Sequence, residues 1–264
     1  MIVEFYKYQG TGNDFVMIDD RSSSLDIGDV SWIRKLCHRR FGIGADGIIL
    51  LRNHEGYDFH MHYFNADGSQ SMCGNGARCA LAFASFLGIF KGQAHFLAID
   101  GPHQGIIRNG LVELKMGDVG HLLPKGEEWY VDTGSPHHIR FVDKVDNYPV
   151  VVEGSKIRYS EDYPLGTNVN FVERKNEAEI MVRTYERGVE DETFSCGTGV
   201  TACALVHGSL FKSNTVRIGT LGGTLKVTFQ PQGNGSYKDI WLIGPAEQVF
   251  SGKVNLEKMA MSIA

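Results

Sequence analysis

At 264 residues, with 42% hydrophobic side chains and a formal net charge of −5, the chain can fill one large core or two modest ones and does not belong to the disordered class. Its Lys and Arg residues are scattered with no long basic block, which argues against nucleic-acid binding. No apolar run is long enough to span a bilayer and nothing before Gly10 reads as a secretion signal, so a cytoplasmic protein without a membrane partner is expected.

Residues 2–8 alternate loosely as a strand that ends at the turn Gly10-Thr11-Gly12-Asn13-Asp14, and residues 15–18 read as the next strand. A helix is expected over 31–39. The glycines at 42, 44 and 47 then lead into a buried strand, Ile48-Ile49-Leu50-Leu51. Residues 57–64 alternate as a one-faced strand, with Asn65-Ala66-Asp67-Gly68-Ser69 as the turn after it. From Gly76 to Leu87 the apolar residues recur at helical spacing, and Gly88 is the expected stop. A glycine-rich turn at residues 100–105 follows, and the stretch 117–126 reads as a linker.

The second half repeats this order. Residues 179–185 alternate as a strand, an acidic stretch leads to Cys196, an apolar helix runs to about Gly208, and Gly219-Thr220-Leu221-Gly222-Gly223 supplies a turn. Thr11-Gly12-Asn13-Asp14-Phe15-Val16 also has an echo in Thr167-Asn168-Val169-Asn170-Phe171-Val172. Echoes in the same order point to two related domains, 1–117 joined by 250–264, and 118–249.

The strings Cys73-Gly74-Asn75-Gly76 and Cys196-Gly197-Thr198-Gly199 each place a thiol at the entrance to an apolar helix. Glycines on both sides of Asn75 and of Thr198 let the backbone turn tightly and present N–H groups, and a helix start favours an anion such as a substrate carboxylate. The same field favours a thiolate by about 0.3–2 kcal/mol. A thiolate and a thiol on one small site suit inversion at a carbon next to a carboxylate, one removing a proton and the other returning it. Such chemistry needs no cofactor, and neither a dinucleotide fingerprint nor a P-loop is present.

Competing assignments stand beside this one. Cys37, Cys79 and Cys203 read as buried packing residues, and the odd cysteine count speaks against a disulfide framework. The spacing of the cysteines lacks the short chelating step of common zinc sites, so no metal is expected. Asn13, Asn65 and Asn168 lie beside strand signals, where asparagine often satisfies its own turn. Glu186-Arg187 is either an exposed ion pair or a carboxylate clamp. A thiol-based redox sensor and a proline or hydroxyproline epimerase are the remaining alternatives.

Taken together, Gly12-Asn13-Asp14-Phe15, Gly42-Ile43-Gly44-Ala45-Asp46-Gly47, Phe64-Asn65-Ala66-Asp67-Gly68-Ser69, Met72-Cys73-Gly74-Asn75-Gly76-Ala77-Arg78-Cys79, Tyr185-Glu186-Arg187-Gly188 and Cys196-Gly197-Thr198-Gly199 give the chain its kinship. It resembles the diaminopimelate epimerases over essentially its full length. The resemblance implies an α/β protein of two pseudo-symmetric domains, each a mixed sheet or barrel wrapped around a central helix. It also implies cofactor-independent conversion of LL- to meso-diaminopimelate in lysine and peptidoglycan-precursor biosynthesis.

By the same resemblance Cys73 and Cys196 are the proton-transfer pair, and the backbones of Gly74-Asn75 and Gly197-Thr198 receive the α-carboxylate. Asn13, Asn65, Asn168 and Arg187 would hold the substrate, Glu186 would contact the amino group, and His137 with Glu186 would tune the thiols. The implied partner is a small molecule, and a homodimer is one assembly the sequence permits. Two positions depart from the family's pattern: Gly47 stands where many members have glutamine, and Ser135 where many have asparagine.

Overall fold

The computed structural model describes residues 1–257, which divide into two compact units: Met1–Leu114 with the described residues from Pro245 onward, and Lys115–Gly244. The first unit holds β1 (Ile2–Gly10), β2 (Asn13–Asp19), α1 (Ser31–Cys37), β3 (Gly47–His54), β4 (Tyr57–Asn65), α2 (Gly74–Phe86), β5 (Gln93–Ala98), β6 (Gly101–Arg108), β7 (Leu111–Lys115) and the last strand, β17 (Glu247–Asn255). Its strands pair in the order β17-β1-β2-β3-β4-β5-β6-β7. The β2–β3 and β4–β5 pairs are parallel and the others antiparallel.

The curved sheet surrounds α2, which packs against β1, β2, β3, β4 and β6. Ala77, Cys79, Ala80, Leu81, Phe83 and Ala84 are all buried, so the helix is apolar nearly all round, as a helix inside a sheet must be. Small residues let the strands approach closely. A Cβ at Gly105 of β6 would stand 2.2 Å from Leu81 Cδ1, so that glycine is a contact point for the helix. The expected turn at residues 100–105 is therefore shorter than anticipated, since β6 starts at Gly101.

The second unit holds β8 (Leu123–Lys125), β9 (Glu128–Asp132), β10 (Pro136–Phe141), α3 (Val150–Arg158), β11 (Asn168–Asn176), β12 (Glu179–Glu186), β13 (Asp191–Thr193), α4 (Gly197–Phe211), β14 (Thr215–Thr220), β15 (Gly223–Pro231) and β16 (Tyr237–Gly244). Its strands pair in the order β8-β9-β10-β11-β12-β14-β15-β16, with β10–β11 and β12–β14 parallel and the rest antiparallel. That sequence of pairings is the one found in the first unit, so the two are pseudo-symmetric. The helix α4 takes the place of α2, packing against β9, β10, β11, β12, β14, β15 and β16.

The expected linker at 117–126 is part of this unit instead. Val119 is buried and exchanges backbone hydrogen bonds with Tyr237, and β8 lies within the stretch. The helix α4 runs one turn beyond its expected end and stops at Lys212, which has a left-handed φ of 58°. Gly208 does not terminate it: a Cβ there would meet Ser213 O at 2.3 Å and Phe229 Cζ at 2.4 Å, so glycine serves close packing inside the helix. Among the described residues, no helix is long and apolar enough to cross a membrane.

Candidate active site

In the first unit Cys73 is the N-cap of α2, with extended backbone (φ −136°, ψ 116°). Its Sγ accepts the Gly76 N–H at 3.4 Å, the bond an N-cap side chain is placed to make. The helix ladder begins with Ala77 N–H on Cys73 O at 2.8 Å. The N–H groups of Gly74 and Asn75 thus belong to the first turn, where the helix itself supplies no acceptor.

Asn13, at the start of β2, faces this cap. Its Nδ2 donates to Asp46 Oδ2 at 2.5 Å. A carboxylate only accepts, so the amide is turned with Oδ1 toward the helix, where Asn75 Nδ2 lies at 3.4 Å and Cys73 Sγ at 3.5 Å. Asp46 is anchored by Arg39, which bridges it to Asp14. Burial opposes ionisation of Asp14, but hydrogen bonds from Arg39 and Lys7 overcome it and hold the carboxyl down at about 2. Lys7 is itself buried, 2.6 Å from Asp14. Asn65 closes β4 and is held by Tyr63, Ser69 and Ser71.

In the second unit Cys196 is the buried N-cap of α4, again extended (φ −115°, ψ 111°), with Sγ 3.5 Å from Thr198 Oγ1. Thr198 O accepts from Thr133 Oγ1 at 3.0 Å, which ties the first turn of α4 to the end of β9. Asn168 opens β11 and donates through Nδ2 to Ser135 Oγ and Pro136 O, each at 2.9 Å, while its Oδ1 accepts the Arg187 N–H at 2.9 Å. The Arg187 guanidinium reaches Leu165 O at 3.3 Å, and Glu186 Oε2 accepts from Thr193 Oγ1 at 2.9 Å.

His137 is fully buried against the start of α4, because a Cβ at Gly199 would lie 3.3 Å from its Cε1. Asn170 Nδ2 donates to His138 O at 2.9 Å and so presents a donor to His137 Nδ1 at 3.2 Å, which leaves the ring proton on Nε2. Burial, with the Arg187 charge adding to it, pulls the His137 pKa down to about 3. The imidazole is neutral at ordinary pH.

Within each unit, then, a half-buried or buried thiol at a helix start stands beside oriented amides. The family model for diaminopimelate epimerase matches residues 5–121 and 129–249 of the chain. The chain belongs to the diaminopimelate epimerase family.

A diaminopimelate epimerase of Flavobacterium psychrophilum is 49% identical over 253 residues, covering 94% of this chain and 98% of that one. One from Chlorobaculum tepidum is 41% identical, with coverage of 94% and 99%. Among solved structures, a PhzF-family phenazine biosynthesis protein of Bacillus anthracis superposes with a TM-score of 0.72 at 12% identity, covering 97% and 99% of the two chains. A hydroxyproline epimerase from Agrobacterium vitis gives 0.68 at 13% identity, covering 96% and 92%. At such identities these two structures speak to the fold alone.

The other three cysteines of this family member, Cys37, Cys79 and Cys203, are free and buried. Burial pushes the Cys37 and Cys79 thiols up to about 12 and the Cys203 thiol well above its ordinary value. In each unit residues behind these side chains had no role assigned from sequence: Asp46 behind Asn13 in the first, and Asn170 behind His137, Thr133 behind Thr198 and Thr193 behind Glu186 in the second. Asp46 carried a signal, as the acid in Gly42-Ile43-Gly44-Ala45-Asp46-Gly47, and Asn170 stood in the echo string 167–172; Thr133 and Thr193 carried none.

The echo of residues 11–16 in 167–172, which sets Gly12 against Asn168 and Phe15 against Phe171, is out of register. Asn13 opens β2, whose counterpart by strand order is β10, while Asn168 opens β11, the counterpart of β3. Phe15 pairs with Gly47 and His137 with Asn168, so Asn13 corresponds to Ser135 and Gly47 to Asn168. A polar residue followed by an apolar strand recurs at both strand starts, and local sequence does not distinguish them.

Proposed function

We propose that the protein interconverts LL- and meso-diaminopimelate without a cofactor, with Cys73 and Cys196 as its two acid–base groups. One cysteine, as thiolate, takes the α proton; the other, as thiol, supplies a proton to the opposite face, and the roles exchange in reverse. The carrying observation is that both thiols are N-caps of helices buried in pseudo-symmetric sheets. The first-turn N–H groups at Gly74, Asn75, Gly197 and Thr198 would bind the α-carboxylate and stabilise charge that builds on it as the proton leaves.

Asn13, Asn65 and Asn168 would orient the reacting end, and Glu186 would accept from its ammonium group. Arg187 would clamp the distal carboxylate. His137, neutral and beside the start of α4, fits a part in tuning the local field. A cytoplasmic setting, which keeps thiols reduced, suits a working thiol pair and the supply of lysine and peptidoglycan precursors.

Turnover of LL-diaminopimelate and trans-4-hydroxy-L-proline, compared side by side under reducing conditions, tests the substrate. Diaminopimelate should be epimerised and hydroxyproline left unchanged. Preference for hydroxyproline would overturn the assignment.

A further inference from the structure

The register that makes Gly47 the counterpart of Asn168 also brings out a difference between them. Gly47 pairs with Asn65, the last residue of β4. Asn168 precedes Val169, which pairs with Tyr185, so it comes level with Glu186 at the end of β12. In the second unit the Asn168 amide fills the position. In the first unit the residue has no side chain, and Tyr63 lies over it.

A Cβ at Gly47 would stand 2.5 Å from Tyr63 Cε2 and 2.4 Å from Phe64 O. The Phe64 backbone carbonyl and the Tyr63 ring together exclude a larger residue there. The ring is buried, edge-on to Phe15 at 5.7 Å, and its hydroxyl donates to Asn65 Oδ1 at 2.7 Å.

The polarity of that contact is fixed from the other end. Ser69 Oγ gives its proton to Asp67 Oδ1 at 2.6 Å, so toward Asn65 it only accepts. Asn65 must therefore turn Nδ2 to Ser69, at 3.0 Å, and Oδ1 to Tyr63. With one lone pair of Oδ1 on the tyrosine, the second is aimed by it.

We propose that Tyr63 is a positioning residue: its hydroxyl, admitted by the absence of a side chain at Gly47, holds Asn65 so that Oδ1 accepts a hydrogen bond from the ammonium group of an α-amino-acid substrate. Tyr63 and Gly47 together occupy the place that an amide side chain holds in the second unit. The inference rests on the proposed role of Asn65 in binding substrate.

Steady-state epimerisation of LL-diaminopimelate by wild type, Tyr63→Phe, Asn65→Ala and the double variant tests it, with urea unfolding of each. Tyr63→Phe keeps the ring, so its unfolding midpoint should stay close to wild type while KM rises about 5-fold and kcat changes less than about 2-fold. Adding Tyr63→Phe to Asn65→Ala should cost less than about 2-fold more, because the partner is already gone. Wild-type KM in Tyr63→Phe overturns the proposal. So does a double variant in which the two losses multiply, or a loss that merely follows a lowered unfolding midpoint. Wild-type inactivity on diaminopimelate would instead overturn the substrate assignment, and is read separately.

Discussion

A histidine held at about 3, as His137 is by burial and by the Arg187 charge, makes folding sensitive to acid. The unfolded chain takes up a proton near pH 6.5, while the folded chain refuses it until about 3. Stability from this group is therefore complete above pH 6.5 and lost as pH falls below it, at about 1.4 kcal/mol per pH unit in mid-window. His62 acts in the same direction. Burial, with the charges of His60 and Arg52, draws it to about 4. Asp14, held at about 2, contributes only below the carboxylate range and leaves the window clear. The urea midpoint should rise between pH 5 and 6.5, and His62→Gln should make that rise shallower; a pH-independent midpoint would contradict the placement of both histidines.

At the scale of single elements, the two Cys-Gly-x-Gly starts are built to different tolerances. A Cβ at Gly76 would press closest on the side-chain ends of Ile49, at 3.1 Å, and Met61, at 3.4 Å, which can turn aside, and would meet Cys73 Cβ at an ordinary 3.5 Å. One at Gly199 would fall 2.5 Å from Asn170 Oδ1, an atom that also accepts from Thr184 Oγ1 at 2.9 Å and belongs to the amide that holds His137. Gly199→Ala should destabilise by about 2–3 kcal/mol and depress epimerisation, and Gly76→Ala by about 1 kcal/mol or less. Urea titrations of the two variants check this, and equal costs would show that the starts of α2 and α4 are equally loose.

Both central helices were legible in the sequence because small and apolar residues follow a Cys-Gly-x-Gly string in each. The start of β10 was not. Pro136, His137 and His138 look like a loop, and it is pairing with β9 on one side and β11 on the other that makes buried strand residues of the two histidines. The helix α3 was also missed, since a Val-Val-Val opening favours a strand and Gly154 interrupts the pattern. That glycine exists for a contact remote in sequence, with its would-be Cβ 2.4 Å from Tyr185 Cβ.

At the scale of the whole molecule, the repeated strand order gives each half the same parts: a strand pair that opens on a polar residue, a strand that ends on Asn65 or Glu186, and a helix capped by cysteine. The repeat was visible from the cysteine strings, but its register required the parallel pairs β2–β3 and β10–β11, which no local pattern encodes. The halves have diverged at Gly47 against Asn168 and at Asn13 against Ser135, so these positions no longer carry the same side chains in the two units.

The central claim is that two cysteines move the α proton. Incubating LL-diaminopimelate with the reduced enzyme in heavy water tests it most directly. Each meso product molecule should carry one solvent deuteron at the inverted carbon, and Cys73→Ala or Cys196→Ala should slow product formation by about 100-fold or more. Epimerisation without deuterium in the product, or at a normal rate in Cys73→Ala, would contradict the account.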